Sequence, residues 1–323
     1  MSFKLTQKGS ASSTVVLLLT ALVIIFALVR ISQSHVSADS SKISSGIKDY
    51  CLDDHQDSTV SDSVVDNWQC NNSAAQVWSA NYETIIHNTD CLTVKGDSTQ
   101  QNSPIVLSKC ISSPGQVWLR DLTGYFNPNS GLCLSTSQNL TDNQLVAANC
   151  DLTKASQTWT PSSSNLSCVG SRGDKVSCNA IKEWSSWQAG SNNHTNLLNS
   201  YTDGAPYEEW CADFVSYIYK EAGYPFTGGE ADGWDENIAG NIQNQGFTDH
   251  PVASGYLPKA GDVAFFDYPG GHVEIVVSGG KNPTFVYGDS ATIDPTTGNG
   301  QMEANTITNV SGLGQVTDYL SPN

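Results

Sequence analysis

Three times, at intervals of about 40 residues, the chain repeats one order of landmarks, and this period constrains its fold more than any other feature. Cys-Leu stands at 51–52, 91–92 and 133–134, and Gln-x-Trp at 76–78, 116–118 and 157–159. Between them each unit holds a turn-rich stretch, a short alternating strand and a second cysteine, as in CLTVKGDSTQQNSPIVLSKCISSPGQVW. A unit of this size cannot bury its apolar face alone, whereas three packed about a pseudo-threefold axis share one core. The leucine of Cys-Leu and the tryptophan of Gln-x-Trp are its natural inward residues.

The nine cysteines fall by spacing into Cys51 with Cys70, Cys91 with Cys110, Cys133 with Cys150 and Cys168 with Cys178, which leaves Cys211 alone. Such pairing belongs to an oxidising compartment. The N-terminus agrees, because Lys4 and Lys8 precede an apolar run from Thr14 to Val29, and Val36-Ser37-Ala38 offers a cleavage site. Residues 1–38 therefore read as a signal peptide or, uncleaved, as a single N-terminal membrane anchor. The apolar run is shorter than the roughly 20 residues of a spanning helix, yet Arg30 directly after it is unusual for a cleaved leader. Either fate puts the rest of the chain outside the cell or on its surface. All 32 acidic residues lie beyond residue 38 while Lys4, Lys8 and Arg30 precede it, so the exported part is more acidic than the formal −17 of the whole chain. With no Lys/Arg cluster to neutralise phosphates, nucleic acid is excluded as a partner.

Residues 45–161 resemble the ricin-type β-trefoil lectins, whose signature is this triple Cys-Leu … Cys … Gln-x-Trp pattern. The resemblance implies an all-β β-trefoil, and a sugar site wherever a repeat keeps its polar and aromatic set. The first repeat keeps it, with Asp53, Trp68 and Gln76, and Asp66 and Asn67 alongside. A carboxylate accepts hydrogen bonds from neighbouring hydroxyls while an indole face packs on the C–H surface of the ring. Thr93 and Ser108 in the second repeat, and Ser135 and Ala148 in the third, break the pattern, so one carbohydrate site is expected. Ala75 also replaces a customary Asn. The competing reading makes Gln-x-Trp purely structural.

Residues 162–174 read as a linker with a stapled turn, in which Cys168 and Cys178 flank Gly170 and Gly173 without metal-ligand spacing. From Asn179 the pattern turns helical, with Ile181, Trp184 and Trp187 at three-residue intervals. A second helix follows in EEWCADFVSYIYKEAG, where Phe214, Val215, Ile218 and Ala222 form an apolar face and Gly223 and Pro225 stop it. Cys211 falls near its N-terminus, where unpaired N–H groups favour a thiolate and a lowered pKa. Glu208, Glu209 and Asp213 oppose this, so a protonated histidine would have to supply much of the stabilisation. Downstream, Gly261–Phe266 reads as a buried strand, Pro269–Gly271 as a turn and His272–Val277 as the next strand. Alternation sends Val273, Ile275 and Val277 to the core and His272, Glu274 and Val276 to the other side. Phe285–Asp289 reads as a third strand whose end offers Asp289 to orient an imidazole.

These segments, EEWCADFVSYIYKEAG, GDVAFF, GGHVEIV and FVYGDSA, resemble the cysteine, histidine-dependent amidohydrolase/peptidase (CHAP) family, and more distantly NlpC-type peptidases and papain. The resemblance covers residues 175–323. It implies an α+β papain-like domain with Cys211 as nucleophile and His272 as general base. Where the family often shows Glu and then Asn, this chain has Tyr287 and Asp289, which leaves Asp289 or Glu274 as the group that orients His272. The expected activity is that of an exported peptidoglycan hydrolase, an N-acetylmuramoyl-L-alanine amidase or an endopeptidase, held on glycan by the lectin domain. The rivals are an exported cysteine peptidase or toxin acting on proteins, and a glycan-binding adhesin with an inactive hydrolase domain. No cofactor or metal is expected, and a monomer is. His194 and His250 read as surface residues, and Glu230, Asp232 and Asp235 as an acidic loop rather than a calcium site.

Overall fold

The computed structural model describes residues 40–54, 60–121, 123–137, 144–151, 153–162, 167–189, 193–202, 209–227, 238–267, 269, 271–307, 309–310 and 312–323. The expected leader or anchor, Glu208, and the acidic loop with Glu230, Asp232 and Asp235 lie outside the described residues. Among the described residues no helix is long and apolar enough to cross a membrane.

From Ser40 to Pro161 the described residues form thirteen strands, β1–β13, joined in one antiparallel sheet system. The repeat is realised atom by atom. The indole Nε1 of Trp78, Trp118 and Trp159 donates to the carbonyl of Leu52, Leu92 and Leu134 respectively, each at 2.9 Å. All six side chains are fully buried in one cluster with Ile43, Val94, Ile105 and Leu145. Each Gln-x-Trp glutamine clamps the backbone around the second cysteine of its repeat. Gln76 accepts from Asn71 N–H and donates to Gln69 C=O, Gln116 does so with Ile111 and Lys109, and Gln157 with Asp151 and Asn149. These bonds satisfy backbone groups at the ends of strands and in the loops that follow them, which is why a polar residue is needed there. The disulfides Cys51–Cys70, Cys91–Cys110 and Cys133–Cys150 form, with separations of 19, 19 and 17 residues. Chain entropy assigns each about 3 kcal/mol.

The rest of the chain is α+β. Its helices are α1 (Arg172–Ala189), α2 (His194–Tyr201), α3 (Cys211–Glu221) and α4 (Ile238–Asn244). Strands β14 (Phe247–Pro251), β15 (Val263–Phe266), β16 (His272–Ser278), β17 (Thr284–Tyr287), β18 (Glu303–Asn305), β19 (Asn309–Val310) and β20 (Gly314–Pro322) form an antiparallel sheet in the order β14-β20-β15-β16-β17-β18, with β19 on β20. Helix α1 begins seven residues before the expected start at Asn179, so Cys168–Cys178 ties the preceding segment to the second turn of a helix rather than closing a free turn. Helix α3 ends as its sequence asks. Gly223 takes φ 88°, its N–H reaches Lys220 C=O and Tyr224 N–H reaches Tyr219 C=O, which is a Schellman closure.

Alternation along β16 holds, with one difference in its surroundings. Val273, Ile275 and Val277 pack with α1 and α3, while Val276 on the other face joins Phe266, Phe285, Tyr287 and Tyr319 in a second cluster. His272 and Glu274 are therefore buried too, at 2% and 0% exposure. The helix-side core also takes in Val117 and Leu119 of the trefoil, and the Phe126 ring lies 5.2 Å from that of Trp184 on α1. Ser177 on α1 donates to Glu83 of the trefoil at 3.1 Å. His194 is corrected from surface to interior. It bridges Trp187 C=O and the Asp294 carboxylate at 2.8 and 2.7 Å, stacked on the Trp187 ring, because α2 folds back onto α1. His250 is partly buried and stacks on Tyr256.

Candidate functional site

Trp210 sets the start of α3. Its side chain is fully buried, stacked near Trp187 and Tyr201, and a Cβ on Gly288 would stand 2.1 Å from its ring. That glycine, at the end of β17, allows the close approach that places Cys211 against the sheet. Cys211 is the free cysteine among the described residues and is buried. The backbone N–H groups of Val273 and Ala212 face its sulfur. The thiol thus lies beside the peptide that joins Val273 to His272, although no hydrogen bond links thiol and imidazole among the described residues.

Burial governs the charge states. It pushes the Cys211 thiol up to about 12, helped by the negative charges of Asp289 and Glu209, and the facing N–H groups offset only part of this. It also draws His272 down to about 3. The expected low thiol pKa is therefore overturned, because desolvation of the anion outweighs the helix terminus. At neutral pH the resting pair is thiol and neutral imidazole.

The carboxylates are distributed in a way the sequence did not reveal. Asp289 follows β17 in the left-handed region (φ 59°). Its Oδ2 accepts from Trp210 N–H and its Oδ1 from Gly300 N–H, both at 3.2 Å. Burial first, and the nearby charge of Glu209, raise its pKa to about 6 against those two bonds. The oxygen that approaches His272 belongs to Glu274, with Oε1 3.5 Å from Nε2. Glu274 is pushed well above the carboxylate range by burial and by the charge of Glu303. Glu303 in turn accepts from Tyr287 Oη and Ser290 Oγ, both at 2.9 Å. Sequence reasoning missed Glu303 and Ser290, since no local pattern marks Glu303, which meets Tyr287 through β17–β18 pairing, or Ser290, which follows β17 and donates to Glu303. Glu209, Gly271, His272, Asp289, Gly300 and Leu313 line a cavity of about 310 Å³.

In the first trefoil repeat, β3 (Tyr50–Asp54) pairs with β4 (Ser63–Gln69) so that Cys51 faces Trp68 and Asp53 faces Asp66. Asp53, Asp66 and Trp68 therefore share one side of the hairpin, with Trp68 48% exposed. Gln76 donates to Asp53 Oδ2 at 2.8 Å while holding the backbone, so it supports the carboxylate rather than reaching outward. Asn67 is corrected. Paired with Leu52, it lies on the inward side, where its Oδ1 is sealed without a partner. The third repeat, which lacks the acidic and aromatic set, nevertheless carries a groove of about 640 Å³ lined by Ser135, Gln144, Ala148, Asn149, Lys154 and Gln157.

Fold and site together define a two-domain protein, a threefold β-trefoil followed by an α+β domain that carries a lone cysteine at a helix start. Comparison with known families places both parts: residues 39–159 match the ricin-type beta-trefoil lectin domain and residues 200–289 the CHAP domain, so the chain carries one of each. A CHAP domain implies a peptidoglycan amidase or peptidase, and a ricin-type lectin domain implies glycan binding. A curated relative, the probable lipoprotein EnvE of Salmonella typhimurium, is 28% identical over 89 residues, 27% of this chain and 51% of the relative. The chain thus spans about half the length of that relative. Similar solved structures include the designed threefold symmetric protein ThreeFoil, at 17% identity over 38% of this chain and 96% of that one, with TM-score 0.35. The agglutinin of Abrus precatorius is 22% identical over 41% of this chain and 51% of its own, also with TM-score 0.35.

Proposed function

We propose that the protein is an exported peptidoglycan hydrolase whose trefoil holds it on glycan while its second domain cleaves an amide bond nearby, as an N-acetylmuramoyl-L-alanine amidase or an endopeptidase. One observation carries this reading: the free cysteine stands at the start of α3, with its sulfur against the first peptide of the strand that bears His272. His272 takes the thiol proton as the sulfur attacks the carbonyl carbon. The imidazolium then returns that proton to the leaving amine, and water hydrolyses the thioester. Because burial penalises each charge alone, the proton moves during attack, and the two opposite charges form together. Backbone N–H groups at the start of α3, that of Cys211 among them, are suited to the oxyanion. An acidic group that orients the imidazole, for which the sequence offered Asp289 or Glu274, completes the site, and the cycle needs no metal or organic cofactor. The four disulfides support action outside the cell or at its surface. Asp53, Asp66 and Trp68 are the proposed sugar contacts, and tethering through a single weak site raises the effective concentration of enzyme on a dense substrate.

The test is to incubate the chain, and its Cys211→Ala variant, with purified peptidoglycan and to identify released fragments by mass spectrometry. New amine ends from the parent protein alone are expected, and their chemistry separates amidase from endopeptidase. The deep burial of Cys211 and His272, at 1% and 2% exposure, favours a second reading, a glycan-binding adhesin whose hydrolase domain is idle. Equal glycan binding by both proteins with no fragments from either would establish it.

A further inference from the structure

The catalytic reading leaves a buried ionisable group beside His272 without a task. Glu274 is fully buried on β16, and neither of its oxygens has a hydrogen-bond partner. The same is true of His272 Nε2, the ring nitrogen sealed from solvent. An unpartnered buried carboxyl and an unpartnered buried imidazole nitrogen are each costly, and here they lie 3.5 Å apart on the same side of one strand. Neighbours leave them little alternative. Phe266 and Tyr287 pack their rings against the imidazole at 5.6 and 5.5 Å, and Tyr287 Oη is committed to Glu303 and Asn305.

Asp289, the downstream acid, is engaged elsewhere. Its two oxygens hold Trp210 N–H and Gly300 N–H, so it fastens the start of α3 to the 289–300 loop. Its left-handed backbone ends the run of alternating side chains that would have aimed it at the strand's neighbour.

We infer that Glu274 is the positioning residue for His272: it accepts the Nε2–H, which fixes the imidazole in one tautomer and leaves Nδ1 to take the thiol proton. This deepens the hydrolase reading and rests on it for the role of Nδ1. The proton balance is simple. The S–H proton passes to Nδ1 as the C–S bond forms, Nε2–H remains donated to Glu274 Oε1 throughout, and Nδ1–H then goes to the leaving nitrogen. Oε1 serves as acceptor whether the carboxyl is ionised or carries a proton on Oε2, so an amide oxygen at the same place can stand in for it.

The experiment is a two-bond ¹H–¹⁵N correlation spectrum of the full chain labelled at histidine, recorded for the parent protein and for Glu274→Gln, Glu274→Leu and Asp289→Asn. His272 is expected as the Nε2–H tautomer in the parent, in Glu274→Gln and in Asp289→Asn, and as a mixture in Glu274→Leu. A parent His272 in the Nδ1–H tautomer overturns the inference even if no variant folds. So does a tautomer that changes in Asp289→Asn but not in Glu274→Leu. Amide cleavage follows the same order, falling about a hundredfold in Glu274→Leu and less than about tenfold in Glu274→Gln. Should the parent protein cleave nothing, the hydrolase reading fails while the tautomer still decides the role of Glu274.

Discussion

Replacing Glu83 with glutamine should stabilise the protein at high pH and leave it unchanged at low pH. Glu83 belongs to the trefoil but accepts a hydrogen bond from Ser177 of α1 at 3.1 Å, so it sits where the two domains share their core. Burial pushes its pKa up to about 7 from an ordinary 4.5. The Ser177 hydroxyl partly offsets this, and the charge of Asp174 adds to it. The folded protein therefore holds this proton more tightly than the unfolded chain does. Stability from that proton is complete below about pH 4.5 and is lost as pH rises through about 7, and at roughly 1.4 kcal/mol per unit the loss reaches about 3.5 kcal/mol. The side chain is only partly buried, so about 2 kcal/mol is the safer figure. Glutamine keeps the bond to Ser177 and never ionises. Calorimetric melts should show variant and parent equal near pH 4.5, with the variant melting about 4–8 °C higher at pH 8. Other buried carboxyls titrate in both proteins and cancel in the difference. A difference that stays constant with pH, or that favours the parent at pH 8, would refute the burial of this charge at the domain contact.

Gly288→Ala places a methyl group 2.1 Å from the Trp210 ring. It should cost about 1–3 kcal/mol in urea unfolding and lower cleavage further by displacing Cys211. Trp68→Ala, at a half-exposed position, should leave stability within about 0.5 kcal/mol yet abolish glycan retention in a pull-down on insoluble wall. With the Cys211 thiol pushed up to about 12, its alkylation by iodoacetamide should be slow at pH 7 and rise about tenfold per pH unit through pH 9. A plateau near neutrality, followed by mass spectrometry, would show a thiolate that the buried site does not predict.

The trefoil was legible because its information is local and repeated. Three Cys-Leu and three Gln-x-Trp landmarks can agree in register only if each repeat makes the same Trp-to-Leu and Gln-to-backbone bonds, and each repeat does. The strand and helix limits around Cys211 and His272 were legible for a related reason, since the Gly-Gly-His turn, the two-residue alternation of β16 and the Gly223 stop act within a few residues. The sugar set was only partly so. The resemblance to ricin-type lectins offered Gln76 and Asn67 among the contacts, but which side of a hairpin a residue takes depends on pairing, and that pairing turns Asn67 inward, while Gln76 is a strut.

By itself, then, the sequence determined the two-domain order, the four disulfides, the odd thiol at a helix start and the histidine at a strand start, all of which follow from spacing along the chain. Only the tertiary structure decided the electrostatics. A helix terminus favours a thiolate wherever it occurs, but packing α1 and α3 on the sheet removes Cys211 from water, and desolvation reverses the sign. The two carboxyls were likewise separated in space. A left-handed turn after β17 delivers Asp289 to the backbone of Trp210 and Gly300, while the second core beneath the sheet closes His272 and Glu274 together.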